Sequence, residues 1–185
     1  MAIETEKKYR LDKRRLVELT AKLSDIGATF AGETFEENYL HRGGRLEERD
    51  AFLRLRKTGE ISILTYKEKI RGETGYKHQI EHETNVSDVD EMEHIIERLG
   101  YRLSIVYEKH RKTWHFGSVE VVLDELPFGY YMEIEGAIED IEAAEKTLRV
   151  DDLEIEQRGY PRLTQKYGTE LGEVTEARFS KRPER

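Results

Sequence analysis

Residues 119–136 read VEVVLDELPFGYYMEIEG, and the fold turns on how this stretch divides. Val119, Val121 and Leu123 recur at every second position, with Val122 and Asp124 on the opposite parity. Beyond Gly129, Met132 and Ile134 alternate with Glu133 and Glu135. Side chains two apart on a strand share a face, so the spacing predicts strands over 118–126 and 129–136, each with an apolar and a charged face.

The same period runs through the rest of the chain. Glu4, Glu6 and Lys8 fall on one face of a strand near 3–10, opposite Ile3, Thr5 and Tyr9. Arg54 and Arg56 oppose Leu53 and Leu55, and Lys67/Lys69, Glu81/Glu83 and Lys109/Arg111 repeat the pattern. Ile61 and Ile63 share parity with Lys67, so that strand must bulge or be only partly lined with charge. Strands near 34–41, 51–57, 60–70, 75–84 and 103–116 complete a set of about eight. Helical spacing appears over 12–27 (Leu16, Leu19, Leu23, Ile26), with Asp12 as cap and Gly27 as stop. It returns over 87–100 (Met92, Ile95, Ile96, Leu99), with Ser87 as the expected cap, near 140–149, and from Pro161. Short connections between most strands predict an α+β fold built on an eight-stranded antiparallel sheet or barrel, with helices outside. Residues 1–171 are expected to form one domain, and 172–185, poor in apolar residues, a flexible tail.

Composition narrows the function. Among 185 residues, 31 Lys and Arg stand against 39 Asp and Glu, for a net charge of −8, which argues against broad binding to nucleic acid. No apolar run approaches the roughly 20 residues that cross a bilayer, and MAIETEKKYR has no signal-peptide core. The absence of cysteine excludes disulfides, thiolate metal sites and a Cys nucleophile, and fits a cytoplasmic protein. Neither a G-x-x-x-x-G-K-[ST] nor a G-x-G-x-x-G motif is present. His78, His82 and His110 read as ordinary strand residues, and Trp114 as a core residue against a helix.

For any one charged pair, a sheet with one solvated face is sufficient explanation. The set argues otherwise, because some strands present only acids and others only bases. Helices need the apolar faces to pack on, so a curled sheet would turn its charges into a lumen. Such a lumen is costly without a ligand or close ion pairing. Carboxylates without cysteine suit a hard cation such as Mg²⁺ or Mn²⁺, and converging Arg and Lys suit phosphate. Together they describe a metal–polyphosphate site. A module that binds polyphosphate without turning it over remains the non-enzymatic competitor.

Glu4-Thr5-Glu6-Lys7-Lys8 has the ExExK form that opens members of the CYTH superfamily, the triphosphate tunnel metalloenzymes, which include class IV adenylyl cyclases and thiamine and inorganic triphosphatases. The resemblance continues in order through NYLHRGGRLEERDAFLRLR, LTYKEK, HQIEHET, EKHRKTW and VVLDELPFGYYMEIEG. It implies an eight-stranded antiparallel barrel around a tunnel. It also implies that Glu4, Glu6, Asp124, Glu133 and Glu135 bind the metal, Mg²⁺ or Mn²⁺. Lys8, Arg54, Arg56, Lys67, Lys69, Lys109, Arg111 and, from the last helix, Lys166 are implied phosphate contacts. Glu4, Glu6, Lys8, Arg56 and Glu133 form the implied catalytic set, while Glu81 and Glu83 match the acidic strand without a settled role. The expected partner is a triphosphate-containing small molecule rather than nucleic acid or membrane, and a homodimer is compatible with it. The expected activity is a triphosphatase, with a class IV adenylyl cyclase as the alternative.

Overall fold

The computed structural model describes residues 2–70, 72 and 75–180. In chain order the elements are β1 (Ala2–Leu11), α1 (Lys13–Asp25), β2 (Thr29–Arg42), α2 (Gly44–Glu48), β3 (Ala51–Thr58), β4 (Ile61–Ile70), β5 (Lys77–Asn85), α3 (Val89–Arg98) and β6 (Arg102–Phe116). β7 (Val119–Leu126), β8 (Gly129–Glu135), α4 (Ile138–Leu148), α5 (Tyr160–Tyr167), β9 (Thr169–Leu171) and β10 (Val174–Ala177) follow. Strand order β2-β3-β4-β5-β1-β8-β7-β6, with β6 returning to pair with β2, closes an eight-stranded barrel. Every pairing around that ring is antiparallel. Closure pairs each of those strands on both sides, except along the first half of β6, which β7 does not reach.

The apolar parity faces outward and carries the helices. Leu19 and Leu23 of α1 and Ile141, Ala144 and Leu148 of α4 pack with Trp114, Val121, Leu123, Met132 and Ile134 in one buried layer. Hydrophobic burial on the outside of the barrel is therefore what commits the charged parity to the inside. A smaller cluster lies at one end, where Leu163 and Tyr160 of α5 meet Leu40, Ile105, Tyr107, Leu126 and Tyr131. These barrel residues share parity with the charged ones, so α5 covers an end whose inner lining is apolar.

Asp12 caps α1 as expected, its side chain accepting from the Arg15 amide at 2.7 Å. In α3 the cap is Asp88, which accepts from the Glu91 amide at 3.0 Å, and not Ser87. The helix starts one residue later than the serine would allow, because the aspartate reaches its third amide. β4 pairs with both neighbours in unbroken register, so Ile61 and Ile63 do not bulge, and the strand is partly lined with charge. Register shifts occur instead between β2 and β6.

The expected tail is replaced, over 172–177, by a turn and β10. β9 and β10 form a hairpin, and β10 runs parallel to β6 at Ile105–Tyr107, on the edge that β7 leaves unpaired. Phe179 packs its ring, tilted, against those of Phe35 and His110, and its amide donates to Glu108 at 2.7 Å. The segment is held by backbone pairing, with only Ala177 of its side chains buried, so its low apolar content concealed it. Residues 181–185 lie outside the described residues. No described helix is long and apolar enough to cross a membrane.

Candidate active site

The inward parity of the barrel surrounds a cavity of about 590 Å³. β1 contributes Glu4, Glu6 and Lys8; β3 contributes Arg54 and Arg56; β4 contributes Lys67 and Lys69. β5 adds Lys77, Glu81 and Glu83, β6 adds Lys109 and Arg111, and β8 adds Glu133 and Glu135.

Register decides which charges meet. Lys8 lies opposite Glu133, Glu6 opposite Lys77, Lys67 opposite Glu81, and Glu36 opposite Lys109. Each cross-strand pair becomes an ion pair. Lys8 reaches Glu133 at 2.9 Å, Lys67 bridges Glu4 at 2.8 Å and Glu81 at 2.7 Å, and Lys109 approaches Glu36 at 3.3 Å. Lys77 is bonded to Glu6. Arg54 and Arg56 share Glu83 at 3.3 and 3.2 Å. Lys8 is 2% exposed and Lys109 1%, so both ammoniums depend on these partners to remain charged.

The acids are crowded on one side. Glu6, Glu135 and Glu120 are successive cross-strand neighbours on β1, β8 and β7, and Glu4 lies two residues from Glu6. Partial desolvation of an otherwise exposed side chain, then repulsion from Glu4, Glu120 and Glu6, pushes Glu135 up to about 8. Burial opposes ionisation of Glu4 and Glu81 alike, and their mutual contact separates them. Glu81 is pushed up to about 8 by burial and Glu4, while Glu4 is held down at about 2 by its hydrogen bond to Glu81 and by Lys67. An excess of carboxylate that must hold protons to coexist is chemically a place for a cation. Among the described residues no three acidic or histidine side chains stand gathered into a metal-holding set, because Glu4, Glu6 and Glu133 are each drawn to a base.

Two expected members are placed elsewhere. Asp124 is fully buried and does not line the cavity. Its oxygens take both arms of Arg111 at 2.7 and 2.6 Å, the Tyr160 hydroxyl at 2.7 Å and Lys109 at 3.6 Å. Lys166 is exposed on α5, its ammonium over the ring of Tyr167, away from the cavity. Lys69 stands at the exposed edge of the lining. In the other direction, α5 brings Tyr160 and Arg162 to the cavity, and Lys77 joins from β5. Lys77 shares parity with Glu81 and was legible in the sequence; Tyr160 and Arg162 carry no period-two signal. Glu36, 3% exposed, was also missed. Burial would raise it, but Lys109, Arg111, Arg56 and Arg54 hold it near 2, so it is a fixed anion beneath the bases.

A model of the CYTH domain family matches residues 2–160. The chain belongs to that family. CYTH proteins are metal-dependent and their tunnel binds triphosphate substrates, a description that the lining residues fit. A protein of Methanocaldococcus jannaschii, provisionally named an adenylate cyclase, is 29% identical over 151 residues, 79% of this chain and 83% of its own. Among solved structures, a Pyrococcus horikoshii protein superposes with a TM-score of 0.75 at 24% identity, covering 86% of this chain and 98% of that one. A Hippeastrum protein provisionally called an adenylyl cyclase, and described with a dominant triphosphatase activity, gives a TM-score of 0.66 at 17% identity, over 86% of this chain and 91% of that one. These two likenesses establish the shared fold.

Proposed function

We propose that this CYTH protein hydrolyses a linear triphosphate with the help of a divalent cation, Mg²⁺ or Mn²⁺. The observation that carries the reading is one cavity with a basic wall, Arg54, Arg56, Lys67, Lys109 and Arg111, and a crowded carboxylate cluster on β1 and β8. Glu4, Glu6, Glu133 and Glu135 would hold the cation, whose oxygen-seeking charge polarises phosphate oxygens when bound. Arg54 and Arg56, fixed by Glu83, present planar guanidiniums to equatorial oxygens. Lys8, Lys109 and Arg111 absorb the charge that grows on the transferred and leaving groups as the phosphorus–oxygen bond breaks. Asp124 serves this wall by holding Arg111 and Lys109 rather than the cation.

A second reading, cyclisation of ATP by attack of its ribose 3′-hydroxyl on the α-phosphorus, is favoured by the name of the M. jannaschii relative. The same cradle serves both, since they differ in which phosphorus meets a nucleophile. Incubation with tripolyphosphate, ATP and thiamine triphosphate, with and without Mg²⁺ or Mn²⁺, separates them by product. Orthophosphate release that requires the cation supports hydrolysis; cyclic AMP with pyrophosphate would replace it with the cyclase. Uptake of tripolyphosphate without turnover under any condition would reduce the protein to a binding module.

A further inference from the structure

α5 begins at Tyr160, and its N-terminal side chain enters the barrel rather than resting on it. The ring is 6% exposed and lies beside Tyr107 at 6.0 Å and Tyr131 at 5.6 Å between centroids. The Lys8 ammonium stands 3.8 Å from its centroid, and that of Lys109 5.3 Å. The Tyr160 hydroxyl donates to Asp124, the carboxylate that grips Arg111. Lys8, Lys109 and Arg111 come from β1 and β6, which are separated in the barrel by β8 and β7. One side chain from outside the barrel therefore touches all three basic positions, two directly and one through Asp124.

We propose that Tyr160 is a positioning residue for the phosphate-binding cations, its ring holding the ammoniums of Lys8 and Lys109 and its hydroxyl holding Asp124 against Arg111. This rests on the reading of those three bases as phosphate contacts. The physical reason is charge. Three cations gathered in a poorly hydrated wall repel one another, and Lys109 is additionally burdened by burial and by Arg111 beside it. The negative face of an aromatic ring attracts an ammonium without adding a formal charge that phosphate would have to displace. A leucine would fill similar space in the apolar cluster without that attraction.

α5 is itself clamped from the strand that carries two of the bases. β10 pairs with β6 at Ile105–Tyr107, two residues before Lys109. Gly168 joins α5 to the hairpin so closely that an added Cβ would lie 2.6 Å from the Glu176 carbonyl oxygen. The register of β6 thus sets both the bases and the helix that steadies them.

The test compares the wild type, Tyr160→Phe and Tyr160→Leu in two measurements. Without ligand, NMR of the lysine ε-methylenes, assigned through Lys8→Met, should show the Lys8 signal shifted upfield by the ring in wild type and Tyr160→Phe, and not in Tyr160→Leu. A Lys8 signal at the position of exposed lysines in the wild type overturns the proposal. In metal-free calorimetry, Tyr160→Leu should weaken tripolyphosphate binding about tenfold and Tyr160→Phe no more than about threefold. In the Lys8→Met background the loss from Tyr160→Leu should shrink to less than about threefold. Equal losses in the two variants would place the effect in the hydroxyl and not in the ring, and an undiminished loss without Lys8 would show that the ring only fills space; either result overturns the proposal. If Tyr160→Leu does not fold, pentafluorophenylalanine at 160, close in shape to phenylalanine but with the sign of its face reversed, takes its place in the calorimetry, with the same expected loss of binding relative to Tyr160→Phe. A wild type that ignores tripolyphosphate defeats the triphosphate reading alone, and the lysine signals then decide the positioning role.

Discussion

Glu133 sits where the two charge populations touch, paired with Lys8 at 2.9 Å and Arg111 at 2.6 Å. Burial would raise its pKa, yet Lys8, Arg111, Lys77 and Lys109 hold it well below the ordinary carboxylate range, so it stays ionised. Glu133→Gln and Glu4→Gln should each abolish metal-dependent turnover while leaving the circular dichroism spectrum unchanged; full activity in either would remove that carboxylate from the cation site. Arg56→Ala should lower kcat/KM for tripolyphosphate by about a hundredfold, the scale of one lost charge-stabilising donor, measured by phosphate release. Lys166→Ala should leave turnover within about twofold, because its ammonium lies on the outer face of α5. Lys166 shows why a loose resemblance misleads on a short helix. The resemblance assigned it by neighbourhood, whereas its direction depends on which face of α5 the apolar residues Leu163 and Tyr160 turn inward.

At the scale of elements, the segment before α5 is the vulnerable part of the site. Residues 154–156 run beside the end of β1, with the Arg10 amide donating to the Glu154 carbonyl at 2.9 Å and the Glu156 amide to that of Lys8 at 2.8 Å. Glu156 fastens this strap by accepting from Arg10 and Arg158. Burial would raise its pKa, but Arg158 and Arg10 lower it from the ordinary 4.5 to about 2. A depressed folded-state pKa means that the unfolded chain takes up the proton first. The carboxylate's contribution is thus complete above about 4.5 and is lost as the pH falls from there towards 2. Glu156→Gln should lower the melting temperature near neutrality, and its gap from the wild type should close as the pH is lowered through that window. An unchanging gap would locate the stabilisation elsewhere. Leu163, a fully buried residue of α5, should cost about 2–5 kcal/mol on replacement by alanine, measured by denaturant unfolding. The α1, α3 and α4 periodicities were plain in the sequence, since amphipathic helices declare their buried face. The β9–β10 hairpin was not, because it is held by backbone pairing to β6.

For the whole molecule, the barrel encloses opposite charges in close pairs, and a ligand must exchange those internal partners for itself. Polyanion and cation together should therefore stabilise the fold more than either alone. At a hundred times the dissociation constant, tripolyphosphate with Mg²⁺ should add about 2.7 kcal/mol, seen as a rise in melting temperature. Raising the salt should weaken tripolyphosphate binding where the cavity is open to solvent, since screening reaches exposed charges first. A melting temperature indifferent to the ligand pair would argue that the ion pairs are structural alone.

By itself the sequence determined the eight barrel strands, the flanking helices other than α2, and the charged parity, because alternation of apolar and charged residues is a local property that one buried face imposes. It also determined that Glu4, Glu6, Lys8, Arg54, Arg56, Lys67, Lys109, Arg111, Glu133 and Glu135 share one surface, once the strands were known to close. Only the tertiary structure decided which acid meets which base, since that follows from register between strands as distant as β1 and β8. It alone turned Asp124 away from the cavity and into the grip of Arg111, and raised Glu36 to a fixed anion under the bases. It also carried Tyr160 from a helix at the end of the chain into the middle of the cations. Those outcomes are long-range packing and electrostatics, in which a residue's role is set by neighbours that no local spacing records.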